Sequence, residues 1–271
     1  MGKILFDQHL HSSFSYDSMP DVTIQRIIEA AVEKGLAGIA ITDHFDPLWP
    51  DEDDLSSLDL PSYEKALLES ESMSAGLLRF VKAVELGFLP GEGLNMCREA
   101  VSRFPYDFVI GSVHHSETTP IDFPAFLEGH TLETIIDNYY TLLYESVKAY
   151  KDYDVLGHIN NIDRYTDGFA PEGLYMPYID EILKIAISDG KGLEINTSSF
   201  KYGIGEHGTP TQPILKRYYE LGGEIITIGS DAHRIPNIGA HIEDSMDMLV
   251  EVGFRYFAVF KERRPEFFNL V

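Results

Sequence analysis

A single cysteine, Cys97, stands in 271 residues, so no disulfide can form within the chain. Basic residues are scarce as well: 21 Lys+Arg face 44 Asp+Glu, a formal net charge of −23. Non-specific binding of nucleic acid, which depends on neutralising phosphates with Lys and Arg, is therefore not expected. No apolar run reaches the roughly 18 residues needed to cross a bilayer, and no positively charged apolar leader precedes Phe6-Asp7-Gln8-His9. Together these absences predict a soluble protein in a reducing, cytoplasmic setting, with no membrane partner. No GxGxxG or Walker-type glycine loop follows any predicted strand, which removes support for a nucleotide-binding open sheet. No Gly/Ser-rich or Pro-rich linker divides the chain, so residues 1–271 read as one domain.

What remains is a globular composition, 44% hydrophobic and 12% aromatic. Its organisation is a repeated strand-then-helix step. Ile4-Leu5-Phe6 reads as a buried strand, and Thr23 to Lys34 places Ile24, Ile27, Ile28, Ala31 and Val32 on one helical face before Gly35 ends it. Further strands are expected at Gly38–Ile41, Phe80–Val84, Phe108–Val113, Val155-Leu156, Leu193–Ile195 and Ile225–Ile228, each followed by a helix. The helix after the fifth strand is placed near Tyr178–Ser188 and the last near Ile242–Val252. Seven β/α units result, and Tyr256-Phe257-Ala258-Val259 is left without a place in the sheet. Such alternation implies a parallel sheet, closed as a barrel or open and doubly wound.

The chemistry sits where these strands stop. The first is followed by Asp7-Gln8-His9-Leu10-His11, the second by Thr42-Asp43-His44 and the third by Glu85. His114-His115 follows the fourth, Gly157-His158 the fifth, and Gly229-Ser230-Asp231-Ala232-His233 the seventh. In a barrel all parallel strands open their carboxyl ends on one face, so these scattered groups would converge there. Residues i and i+2 of an extended segment point to one side, so His9 and His11 can address one ion, and Asp231 and His233 neighbouring ions. Imidazole suits Zn, Fe and Mn, and carboxylates can bridge two cations, a donor set that suits a multinuclear site. Taken one at a time, each motif also serves as an ordinary cap, turn or polar pair; the joint pattern is what points to metal.

Asp7-Gln8-His9-Leu10-His11-Ser12, Ser15-x-Asp17-Ser18, Thr42-Asp43-His44, Gly111-Ser112-Val113-His114, Gly157-His158 and Gly229-Ser230-Asp231-Ala232-His233 together resemble the PHP (polymerase and histidinol phosphatase) superfamily. Within it, the length, Asp17 where histidine is more usual, the His158…Arg164-Tyr165 segment and Glu194-Ile195-Asn196-Thr197-Ser198 resemble the stand-alone histidinol-phosphate phosphatases. The resemblance implies an α/β fold, a distorted seven-stranded (β/α)7 TIM-like barrel, with a trinuclear metal site on its C-terminal face. It implies one ion on His9, His11, Glu85 and Asp231, a second on Glu85, His114 and His158, and a third on Asp17, His44 and His233. The ions would be Mn, Fe or Zn. Glu85 would bridge the first two, and Glu85, Asp231 and His233 stand as the catalytic candidates. Asp7 and Asp43 would orient imidazoles from behind.

The reaction so implied is hydrolysis of a small phosphate monoester, L-histidinol phosphate in L-histidine biosynthesis, by hydroxide held between two ions. Arg164 matches a phosphate-contacting arginine of the family, its fork suited to bidentate recognition, although a surface ion pair with Asp163 or Asp167 would use it too. After Glu194–Ser198 the family usually offers another arginine, where this chain has Phe200-Lys201-Tyr202. Lys201 stands as a candidate phosphate contact, but as a point charge rather than a fork.

Other features read blandly. Asp51-Glu52-Asp53-Asp54 beside Trp49 is a solvated charge run, Tyr139, Tyr140, Leu143 and Val147 are packing residues of a long helix, and Cys97 is an inert helical residue. His115 is the less favoured of its pair, and Glu206-His207 reads as exposed loop. Three competing functions follow. Amidohydrolases also begin with His-x-His, but commonly bridge their metals with a carboxylated lysine, and no lysine ends the fourth strand here. A metal-stabilised module like the PHP domains attached to replicative polymerases is disfavoured by the charge of −23. A nucleotide or sugar phosphate is the alternative substrate within the family.

Overall fold

Strands and helices alternate along the chain as the periodicity predicts. A computed structural model describes residues 3–50, 58–166, 169–200 and 209–271; the acidic run from Asp51 to Asp54 and Glu206-His207 lie outside them. Among the described residues the first half runs β1 (Phe6–Leu10), α1 (Ile24–Glu33), β2 (Gly38–Ile41), β3 (His44–Phe45), α2 (Leu60–Ser74), β4 (Arg79–Gly87), α3 (Glu92–Ser102) and β5 (Phe108–Ser112). The second runs α4 (Pro124–Leu127), α5 (Leu132–Ala149), β6 (Val155–Leu156), α6 (Glu172–Ser188), β7 (Gly192–Asn196), α7 (Gln212–Glu220), β8 (Ile226–Gly229), α8 (Ile242–Val252), β9 (Tyr256–Lys261) and β10 (Arg264–Asn269). No helix among them is long and apolar enough to cross a membrane.

β2 and β3 are one strand interrupted: Ile41 pairs with Lys82 and His44 with Glu85, the same offset on either side of Thr42-Asp43. Counting them once leaves seven parallel strands in the order β1-β2-β4-β5-β6-β7-β8. The seam between first and last is closed by the segment after β8, where His11 N donates to Ala232 O (3.1 Å) and Asp231 N to His9 O (2.8 Å). A Cβ at Gly229 would stand 2.3 Å from His9 Cβ, so only glycine lets the two edges approach. The result is the expected nearly closed barrel, and the open doubly wound sheet is excluded.

Three local expectations are corrected. The first strand is Phe6–Leu10 rather than Ile4–Phe6, because Ile4 is half exposed and the barrel wall begins at Phe6. His9 is therefore inside a strand, not beyond one. Val32 of α1 faces solvent, and Ala30 takes its place on the buried stripe. α6 begins at Glu172 and carries Pro177 within it, where a proline normally reads as a break. The packing roles of Tyr139, Tyr140, Leu143 and Val147 are as expected, and Cys97 is buried with its thiol 3.6 Å from Gly87 O.

The unplaced segment at 256–259 is β9, which pairs antiparallel with β10 outside the barrel. Its two-residue turn holds Glu262 and Arg263 at positive φ (49° and 63°), the hairpin geometry usually given to Asn-Gly. Phe257 and Phe268 pack on Phe6 (6.1 and 5.1 Å between centroids) and Phe260 stacks on Phe108 at 5.0 Å. Phe6 and Phe108 begin their strands, so the hairpin covers the N-terminal mouth and leaves the opposite mouth for chemistry.

Candidate metal centre

The C-terminal ends of six strands deliver side chains to that mouth. His9 lies in β1, His11 just past it, and Asp17 in the loop that follows. His44 of β3 is the in-register neighbour of Glu85 in β4. His114, His158 and the Asp231/His233 pair follow β5, β6 and β8.

Glu85, fully buried, is the hub. Its Oε2 lies 3.2 Å from His9 Nε2, 3.6 Å from His11 Nε2 and 3.0 Å from His44 Nδ1. Its Oε1 lies 3.0 Å from His158 Nε2 and 3.3 Å from His114 Nε2. Asp231 Oδ1 joins the first group, 3.3 Å from His11 Nε2 and 3.7 Å from His9 Nε2. Asp17 makes a third with His233 Nε2 (2.9 Å) and His44 Nε2 (3.8 Å). All nine candidate ligands are thus brought into one cluster.

Two properties separate these contacts from hydrogen bonds. His9 Nε2, His11 Nε2, His44 Nδ1, Glu85 Oε2 and His233 Nε2 are buried with no hydrogen-bond partner among the described residues, which costs about 1–3 kcal/mol per group unless something else meets their lone pairs. The spacings also suit ligands of a common ion, since bonds of about 2.0–2.2 Å at tetrahedral or octahedral angles hold donor atoms roughly 3.0–3.6 Å apart. His9-Glu85-His158, His9-His11-Asp231 and His11-His44-His233 each place three ligand atoms within 4.8 Å of one another. Imidazole nitrogens mixed with carboxylate oxygens form a donor set for divalent transition metals, so these residues fit metal ions.

Electrostatics couple the set: against burial, Glu194 and Glu85 raise His9, Glu85 and Asp17 raise His44, and Asp46 and Glu85 raise His114. Burial works to raise Glu85, but His9, His114 and His44 hold its carboxyl well below the usual range. Burial is likewise overridden at Asp231 by His9, His11 and the Arg164 guanidinium. Burial lowers His11 and His158, keeping them neutral with a lone pair to give.

The outward nitrogens of the imidazoles are held from behind. His9 Nδ1 donates to Glu194 Oε1 at 2.5 Å, His114 Nδ1 to Asp46 Oδ1 at 2.7 Å and His233 Nδ1 to Asp231 O at 3.1 Å. His11 Nδ1 donates to Ser15 Oγ (3.0 Å), whose hydroxyl donates to Asp43 Oδ1 (2.6 Å). With the proton on Nδ1, each Nε2 is free to face a cation.

The roles expected of Asp7 and Asp43 change accordingly. Asp7 touches no imidazole nitrogen; it accepts from Ser230 N (2.8 Å), Ser230 Oγ (2.5 Å) and Gly239 N (2.7 Å), anchoring the turn that carries Asp231 and His233. A register shift in β1 between Asp7 and Leu10 aims it at the barrel seam instead. Asp43 reaches His11 only through Ser15. Sequence reasoning gave Glu194 and Ser15 no orienting role and overlooked Asp46. Glu194 was detectable as one more acid at a strand end, and Asp46 by the i, i+2 rule applied from His44.

Arg164 is only 5% exposed in its side chain, and its Nη2 donates to Ser198 Oγ (2.6 Å) and Asn196 Oδ1 (3.0 Å) and lies 3.4 Å from Asp231 Oδ2. Asp163 turns away from it and accepts from Asn160 Nδ2 and Ala170 N. Lys201 and Asp167 fall outside the described residues. Arg164, Tyr16, Trp49 and Asp122 line a cavity of about 150 Å³ that reaches His44, His158 and Asp231. Sequence reasoning missed Tyr16 and Trp49 as walls, since lone aromatics carry no spacing signal. His115 stands outside the cluster, its ring against Trp49 and its Nδ1 donating to Ser116 O at 2.9 Å.

Comparison with known proteins agrees with this geometry. A model of the PHP domain matches residues 7–198. A probable histidinol-phosphatase of Clostridium acetobutylicum is 30% identical over 266 residues, covering 96% of this chain and 98% of that protein. The histidinol-phosphatase of Lactococcus lactis is 27% identical over 258 residues, covering 94% and 93%. A crystal structure of the Lactococcus lactis histidinol phosphate phosphatase, complexed with Zn, L-histidinol and phosphate, superposes with a TM-score of 0.86 at 26% identity, covering 97% of this chain and 98% of that one.

Proposed function

The chain belongs to the PHP domain family, and from that premise we propose that it hydrolyses L-histidinol phosphate to L-histidinol and phosphate, a step of L-histidine biosynthesis carried out in the cytoplasm by residues 1–271 acting as one unit. The observation that carries the reading is a cluster of imidazole and carboxylate atoms, several without a hydrogen-bond partner among the described residues, that opens through His44, Asp231 and His233 onto a small cavity walled by a buried arginine. A cation cluster with a guanidinium next to it is a receptor for a phosphoryl group.

Three ions are assigned: one to His9, His11, Glu85 and Asp231, a second to Glu85, His114 and His158, and a third to Asp17, His44 and His233. When bound, such cations (Mn, Fe or Zn) polarise the phosphoryl group and activate water at neutral pH. The protein's own residues do the rest. Glu85 and Asp231 stay ionised in a buried setting and hold the cluster's charge in place. Arg164 is held by Ser198 and Asn196 at the cavity wall, where its fork can take phosphate oxygens and orient the ester for in-line attack. Lys201 is proposed as a further phosphate contact. Three divalent ions bring about six positive charges against three carboxylates, so the local field favours an anion although the whole protein is acidic.

Phosphate release from L-histidinol phosphate, measured beside a panel of sugar phosphates and nucleotides, tests the proposal. The expected result is a kcat/KM for histidinol phosphate well above every member of the panel. Equal rates across the panel would leave a general PHP phosphoesterase. Turnover of amides without phosphatase activity would point to the amidohydrolases.

A further inference from the structure

Among the acceptors behind the imidazoles, Asp46 is seated where the fold has had to make room for it. Its side chain is fully buried; Oδ1 accepts from His114 Nδ1 at 2.7 Å, while Oδ2 has no hydrogen-bond partner among the described residues and lies 3.7 Å from His44 Nδ1. A buried carboxylate oxygen left unpaired is costly and persists only where the other interaction is needed. On the adjacent strand, a Cβ at Gly87 would stand 1.9 Å from Asp46 Oδ1 and 2.9 Å from its Cγ. Gly87 is not among the positive-φ glycines, so the requirement there is space rather than backbone freedom.

His44, Asp46 and His114 also place three ligand atoms within 4.8 Å, which raises the reading that they hold an ion of their own. Distance decides against it. At 2.7 Å the Asp46 and His114 atoms are closer than the roughly 3.0 Å that two ligands of one ion keep, and match a charge-assisted hydrogen bond. His114 meanwhile turns Nε2 towards Glu85 Oε1 at 3.3 Å.

We infer that Asp46 is a positioning residue for metal binding: it fixes the Nδ1 proton of His114 and so aims Nε2 at the ion shared with Glu85 and His158, and Gly87 is the space that admits it. The inference rests on the metal assignment proposed above and not on the identity of the substrate. An acceptor on the far nitrogen sets the tautomer and raises the basicity of the ligating one.

The test reads ion affinity rather than turnover. Zn and Mn are titrated in competition with a chelator into the full chain and into Asp46→Asn, Asp46→Leu, Gly87→Ala and the Asp46→Leu/Gly87→Ala pair. Asp46→Leu should weaken one ion of the set by about 10–100-fold and leave the others near the parent value. Asp46→Asn, whose carbonyl can still accept, should stay close to the parent. Gly87→Ala should reproduce the Leu loss, and, because a Leu methyl stands where the carboxylate oxygen stood, the pair should be at least as weak as either single variant. Long-range ¹H–¹⁵N spectra should show His114 protonated at Nδ1 in the parent and Asn proteins and in mixed tautomers in the Leu protein. Parent affinity in a folded Asp46→Leu or Gly87→Ala protein overturns the inference, as does an Asn variant as weak as Leu. If Asp46→Leu does not fold, Gly87→Ala against Asp46→Asn decides by the same titration. A parent chain inactive on histidinol phosphate, with ion affinities that move as stated, removes the substrate reading and leaves this one standing.

Discussion

Replacing Glu85 by Gln removes a charge while keeping the length and volume of the side chain, at the one position that faces two groups of imidazoles. Ser112 Oγ donates to Glu85 Oε1 at 2.6 Å, so the amide seats its oxygen there and its NH₂ in the place of Oε2. That NH₂ then faces His9 Nε2 and His44 Nδ1, at the present 3.2 and 3.0 Å. Having no lone pair to give, it removes a ligand outright from the ion assigned to His9, His11 and Asp231. The ion assigned to His114 and His158 keeps an oxygen, but a neutral one. Taking one partner out of a buried charge pair costs about 3–5 kcal/mol, or about two to three and a half powers of ten in affinity. The fold should survive, because the NH₂ can donate to His9 Nε2 or His44 Nδ1, neither of which has a hydrogen-bond partner among the described residues. Metal content by mass spectrometry after dialysis against graded chelator is the assay, with thermal melting and phosphate release on the same samples. One ion should leave at chelator levels that spare the parent, a second should weaken less, and turnover should fall with the first. A folded Glu85→Gln protein with the parent's metal content at every chelator level refutes the bridging assignment, as does one that loses the ion yet keeps its turnover.

Other substitutions probe the surroundings. Arg164→Ala should lower kcat/KM by roughly 10- to 150-fold, the worth of a charged hydrogen bond of about 1.5–3 kcal/mol; because Arg164 also steadies Asp231, part of the loss should appear in kcat, and an unchanged kcat/KM would end its phosphate role. Burial lifts the Asp163 carboxyl from its ordinary 3.8 to about 6, against hydrogen bonds from Asn160 and Ala170. Its folded value is the higher, so it adds stability below about pH 4 that is lost as pH rises to about 6, at most about 3 kcal/mol in all. Asp163→Asn lacks that term, and denaturant unfolding should show the variant gaining on the parent across that window; a constant difference would contradict the argument. Asp7→Ala strips the acceptor from Ser230 N, Ser230 Oγ and Gly239 N at the seam, and should cost at least about 3 kcal/mol in denaturant unfolding, with loss of metal from Asp231 and His233; a loss below 1 kcal/mol would show that the seam does not depend on it.

The parts of the fold that were legible in the chain are those where the environment writes a continuous pattern. Strands buried on both faces read as apolar runs, so β2 and β4 to β8 were found within a few residues. β1 broke the pattern because Asp7, Gln8 and His9 are themselves buried in the wall, and polar residues in a strand imitate a loop. The hairpin β9–β10 has no signature in the chain because its turn is Glu262-Arg263, which carries no glycine signal. At the site, the ligand types could be recognised because a parallel barrel exposes only its strand ends, and repetition of His, Asp and Glu at those ends is a one-dimensional signal.

Residue order therefore determined the repeating unit, the number of parallel strands and the crowding of His, Asp and Glu at their ends, and the family resemblance picked nine side chains, Asp17 in a loop among them, that the fold brings together at the mouth. Neither determined which nitrogen of each imidazole faces inward, or which acid stands behind it. His9 takes its orientation from Glu194, His114 from Asp46 and Asp7 its partners from Ser230, pairs far apart in the chain that meet only when the barrel closes. Hydrogen-bond direction depends on tenths of an ångström between strands, and residue order carries no record of that distance until the seam at His9–Asp231 is shut.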